Sequence, residues 1–143
     1  MKIMALLHAT FLSADLDRSR IFYEGLLGLT PSSSRPDLGY PGVWYEVAAN
    51  QQIHLMLLPD PEAGLQRPPH PQGVRRDCMG LKPQQHTQHG GRDRHVALAV
   101  SDLEALVSRL TTAEIAYTLS KSGRRALFCR DPDGNALEFI EAA

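Results

Sequence analysis

The sequence predicts an α+β protein in which one β-α-β-β-β unit is written twice. Three observations carry this reading. Several short runs alternate between two kinds of side chain with the two-residue period of a strand. After Ser101, apolar residues recur at the three-to-four-residue spacing of an amphipathic helix. His8 and His54 stand 46 residues apart and His95 and Glu138 stand 43 apart. Each pair opens with a histidine in one apolar run and closes with a metal-capable residue in another.

In the first module, residues 1–58, Ala5–Leu12 is expected as a strand and Asp15–Leu27 as a helix closed by Gly28. Ile21, Phe22, Tyr23 and Leu26 are the expected core positions. A short second strand and a Ser/Pro-rich stretch, Pro31–Gly42, come next. Val43–Ala49 and Ile53–Leu58 then form a hairpin across Asn50-Gln51-Gln52. The second module, residues 95–143, repeats the order. His95–Val100 is a strand, and Ser101 with Glu104 forms a capping box before a helix striped by Leu103, Leu106, Val107 and Leu110. Strands follow at Ile115–Ser120 and Ala126–Arg130. The turn Asp131-Pro-Asp-Gly-Asn135 leads into the last, Ala136–Glu141.

Between the modules, residues 59–94 hold six of the ten prolines and few apolar residues, so a long connection is expected. Its His70, His86 and His89 read as members of a solvated polar loop, not as ligands.

A length of 143 residues suits a single domain, and 43% apolar with 22% charged residues is ordinary for a soluble globular chain. A net charge of −1 gives no reason to expect nucleic acid or a membrane surface as partner. Cys78 and Cys129 are too few for a disulfide framework, which implies reduced thiols and a cytoplasmic setting. Cys129 is expected in the core. The apolar start, Ile3–Ala14, loosely imitates a leader peptide. His8, Thr10 and Ser13 interrupt it, so it is read as the first strand.

Strand parity isolates the chemistry. His95 shares a face with Ala97 and Ala99, and Glu138 with Ala136 and Ile140, opposite Leu137 and Phe139. His8 and His54 stand opposite Leu7, Ala9, Ile53 and Leu55 in the same way. If the large apolar residues pack on the helices, all four candidates point into whatever the sheet encloses. Glu138 inside an apolar strand is costly to bury without a partner. Three imidazoles and a carboxylate suit Zn, Ni, Co, Mn or Fe(II) better than Ca or Mg.

The repeated unit, with FYEGLLGL at Phe22–Leu29 and RDPDGNALEFIE at Arg130–Glu141, resembles the vicinal oxygen chelate superfamily, which includes glyoxalase I, methylmalonyl-CoA epimerase, extradiol dioxygenases and the fosfomycin- and bleomycin-resistance proteins. The resemblance implies eight strands curved around one metal cavity. It also implies ligands from the first and last strands of each module: His8, His54, His95 and Glu138. A homodimer is implied too, with the site formed either within one chain or between two. Position 54 departs from the pattern, because glyoxalase I usually has glutamate there and the epimerase glutamine.

The function expected from this resemblance is a metal-dependent glyoxalase-type lyase or isomerase working through a metal-bound enediolate. Its substrate would be small and carry two adjacent oxygens, with Glu138 as the catalytic base. Two alternatives stand beside it: an Fe(II) extradiol-type dioxygenase using His8, His95 and Glu138, and a non-catalytic protein that binds a drug or other small molecule. Arg124, Arg125 and Arg130 are candidates to hold an acidic substrate arm. Trp44, Tyr45 and Phe128 are candidates to line the cavity.

Overall fold

A computed structural model describes residues 1–58 and 94–142. Of the expected connection over 59–94, residues 59–93, with the three histidines and Cys78, lie outside the described residues. Among the described residues, seven strands form two sheets. The first has the order β1-β3-β2, built from β1 (His8–Ser13), β2 (Gly42–Ala48) and β3 (Gln51–Leu57). The second has the order β4-β7-β6-β5, built from β4 (Val96–Val100), β5 (Tyr117–Leu119), β6 (Ala126–Arg130) and β7 (Ala136–Glu141). In each module the first strand pairs in parallel with the last, and the remaining neighbours are antiparallel.

The expected short second strand of module 1 is reduced to one isolated bridge, Pro31 to Tyr45. The Ser32 N–H donates across it to the Trp44 carbonyl at 2.7 Å. The bridge occupies the place on β2 that β5 occupies on β6, which keeps the order of the two modules equivalent.

Helix α1 (Leu16–Arg20) is capped by Asp15, whose carboxylate accepts from the Arg18 N–H at 3.1 Å. It continues as a π-helical segment, Ile21–Leu26, which keeps Phe22 and Tyr23 together in the core. Gly28 at φ +76° then turns the chain out. Helix α2 (Leu103–Thr112) buries Leu103, Leu106 and Leu110, as the stripe predicts.

Its cap differs from expectation. Asp102, not Ser101, accepts from the Ala105 N–H at 2.9 Å, and Glu104 faces Arg125 at 3.3 Å. An aspartate immediately before the apolar stripe reaches the third helical N–H as well as a serine would.

One core cluster holds residues of both modules, including Phe11, Tyr23, Tyr45, Ile53 and Leu55 with Leu106, Leu127, Leu137 and Phe139. Polar contacts seal the seam. The Tyr23 hydroxyl donates to Asp131 at 2.8 Å, and Asp133 accepts from the Ala14 N–H at 2.9 Å and the Ser19 hydroxyl at 2.7 Å. Cys129 is fully buried, and burial pushes its thiol up to about 12. No helix among the described residues is long and apolar enough to cross a membrane.

Candidate metal centre

The strand registers place the four candidates at equivalent points. In module 1, Thr10 pairs with His54 across β1 and β3; in module 2, Ala97 pairs with Glu138 across β4 and β7. His8 precedes Thr10 by two residues, and His95 precedes Ala97 by two. Each histidine is therefore diagonal to the second residue of its pair, on the same face. The next strand inward adds an aromatic ring directly beside that residue: Trp44 opposite His54, and Phe128 opposite Glu138.

Around this shared scaffold the side chains differ. In module 1 three rings stack. Trp44 and His54 lie 4.0 Å apart at 4°, and His54 and His8 lie 4.3 Å apart at 11°. The His54 Nε2–H donates to Gln52 Oε1 at 2.8 Å, and the Gln52 amide donates in turn to Glu46, which also accepts from the Ser32 hydroxyl. Burial holds the His54 pKa below the usual histidine value, with the neighbouring His8 adding to the effect. The ring is thus kept neutral, the form that donates to a metal.

In module 2 the His95 Nε2–H donates to Glu138 Oε2 at 3.0 Å, and Phe128 meets His95 edge-on with centroids 5.4 Å apart. The other oxygen, Oε1, accepts from the Arg124 guanidinium at 3.2 Å. The Glu138 side chain is 5% exposed and Arg124 58%. A buried carboxylate thus receives two donors, one of them the charged guanidinium, which offsets its desolvation.

The structure brings His8 to His54 and His95 to Glu138. Among the described residues, no three side chains of His, Cys, Asp or Glu come together as a group able to hold a metal. The donor set fits a divalent transition metal by its chemistry, in two halves of two donors each. A cleft of about 600 Å³ runs along the free edge of β4, lined by Leu29, Val47, Ala97, Ala99, Arg109 and Phe139 and by none of the four.

Three expectations about the surroundings change. Tyr45 does not line the face: it is fully buried on the core side, and its hydroxyl donates to Glu24 at 3.0 Å. Its odd parity relative to Trp44 decides this. Arg125 is taken up by Glu141 and Glu104. Arg130 donates to the Gly134 carbonyl at 2.7 Å.

Gln52 was missed as His54's partner, although its spacing of two residues puts it on the same face. The contact between Arg124 and Glu138 left no sequence signal, because it depends on how the 120–125 turn folds over β7.

A model of the Glyoxalase/Bleomycin resistance protein/Dioxygenase superfamily matches residues 5–139. The chain belongs to this superfamily. Solved structures agree on the fold of this superfamily member. Lactoylglutathione lyase from Agrobacterium tumefaciens is 21% identical with a TM-score of 0.59, covering 99% of this chain and 96% of that one. A putative glyoxalase family protein from Bacillus anthracis is 18% identical with a TM-score of 0.65, covering 100% and 98%. TnmS3, an antibiotic binding protein from Streptomyces sp. CB03234, is 17% identical with a TM-score of 0.62, covering 100% and 99%. No curated protein matches the chain.

Proposed function

We propose that this superfamily member is a divalent-metal-dependent lyase or isomerase of glyoxalase type, acting on a small substrate with two adjacent oxygens. The observation that carries the reading is the matched register. Two strand pairs from different modules present a donor pair at the same diagonal, one with two imidazoles and one with an imidazole and a carboxylate. Duplicated positions that both keep metal-capable side chains are hard to explain by packing, because that face of β4 is open at Ala97 and Ala99.

His8, His54, His95 and Glu138 would hold the metal. Since the halves sit in separate modules, the proposal includes a homodimer in which one protomer's first pair faces its partner's second pair. When bound, the metal would supply Lewis-acid polarisation of a substrate carbonyl. Glu138 then removes the proton from the neighbouring carbon and returns it to the adjacent one. Its place on a buried strand next to His95 keeps it oriented and shielded from water.

Metal analysis of native protein and an anaerobic assay with hemithioacetals test the reading. Glu138→Gln should lower kcat by about 10²–10⁴-fold, whereas undiminished turnover in that variant removes Glu138 as the base. Oxygen consumption with catechols would move the assignment to a dioxygenase.

The stack of Trp44, His54 and His8 favours a second reading, a protein that binds a planar small molecule without turnover. Trp44 is the chain's single tryptophan, so its fluorescence reports directly on that face. Quenching by an aromatic ligand in metal-stripped protein would support this second reading.

A further inference from the structure

The partner of Glu138 suggests what the site accepts. Arg124 reaches the carboxylate from the exposed Ser120–Arg125 turn, and two serines aim it. The Arg124 Nε–H donates to the Ser122 hydroxyl at 3.2 Å, and the Ser122 and Ser120 hydroxyls are bonded at 2.8 Å. The guanidinium thus occupies one oxygen of the only carboxylate among the four candidate ligands. It is also more than half exposed, so it can leave that oxygen without dragging buried structure with it.

The balance of charge favours an anionic occupant. Three neutral imidazoles and one carboxylate would leave a dication with a net charge of about +1. Arg124 adds another positive charge at the same place.

We propose that Arg124 is an anion-binding residue of this site: it neutralises Glu138 in the metal-free protein, yields that oxygen to the cation, and then holds an oxyanion of an acidic substrate. This rests on the metal-dependent reading above and names the substrate class for it, small acids carrying two adjacent oxygens. It also sets an order, with the metal binding before the acid. A guanidinium presents a planar pair of donors matched to a carboxylate, and Ser122 keeps that pair facing the ligand face after Glu138 has been released.

Chelator-stripped protein titrated with Zn²⁺ by calorimetry provides the test, followed by titration of the loaded protein with oxalate and with acetohydroxamic acid. Oxalate chelates through one oxygen of each carboxylate and leaves the other two for Arg124, whereas acetohydroxamic acid chelates through adjacent oxygens as its monoanion and carries no further oxyanion. Arg124→Gln should bind Zn²⁺ about two- to fivefold more tightly, because a competing half-exposed ion pair is gone. The loaded variant should bind oxalate about tenfold more weakly and acetohydroxamic acid within about twofold of wild type. Arg124→Lys should recover part of the oxalate affinity, and Ser122→Ala should weaken oxalate less than Arg124→Gln does.

Unchanged Zn²⁺ affinity in Arg124→Gln, or an equal loss for both chelators, overturns the proposal while leaving the metal site standing. Absence of Zn²⁺ uptake by the wild-type protein overturns the metal reading and the proposal together. Circular dichroism of each variant identifies one that has lost its fold, and Arg124→Lys then carries the measurement.

Discussion

The two modules share a backbone register and differ in the chemistry placed on it. Module 1 offers stacked rings: burial holds the His54 pKa below the usual histidine value, and the ring lies between Trp44 and His8. Module 2 offers an anion, Glu138, held between His95 and Arg124. The duplicated strands decide where a donor stands. Neighbouring side chains decide its protonation and its partner. The same division holds at the turns before the closing strands. Module 2 uses Asp131–Asn135, in which Asp131 accepts from the Asp133 and Asn135 N–H groups, the Asn135 side chain and the Tyr23 hydroxyl. Module 1 turns at Asn50, with φ at +59°.

The strongest way to break that comparison is to remove the two turn residues separately. Asp131→Ala leaves several buried donors unpaired and should cost about 3–5 kcal/mol in urea unfolding. Asn50→Ala should cost about 1 kcal/mol or less, because alanine lacks the short polar side chain that eases asparagine into left-handed backbone. Equal costs would show that the turns are interchangeable and that the seam does not depend on Asp131.

Acid sharpens the picture at Asp133, which ties module 1 to module 2. Burial alone would raise its pKa. The Ala14 N–H, the Ser19 and Ser13 hydroxyls and Arg18 outweigh this, and the folded value falls below the ordinary 3.8. Because the folded pKa is depressed, its contribution is present above pH 3.8 and is lost as pH falls through the lower folded value. Wild-type melting temperature should therefore drop more steeply below about pH 3.8 than that of Asp133→Asn. Parallel curves would remove Asp133 as the acid-sensitive link.

The smallest expected effects have opposite signs. Gly134→Ala, at φ +84°, should destabilise by about 1 kcal/mol. Gly25→Ala lies in the π-helical segment with open space around a new Cβ, and should stabilise by about 0.5–1 kcal/mol. Thermal melts of the two variants check both signs.

Much of this was legible in the residues. Period-two alternation is a local property, so it marked Ile53, Leu55, Leu137 and Phe139 as core and put His8, His54, His95 and Glu138 on the opposite faces. The helical stripe of α2 was equally local. Matching the two halves required only comparing one such pattern with the other.

Tertiary structure decided what depends on distant chain segments. The meeting of Arg124 with Glu138 comes from the turn before β6, and the burial of Tyr45 from its contact with Tyr23 and Glu24. The expected second strand of module 1 came down to the Pro31–Tyr45 bridge, with Ser32 bonded to the Trp44 carbonyl. The separation of the two donor pairs also belongs to this class. Parity tells which way a side chain points, but only the packing of one module on the other decides what stands across from it.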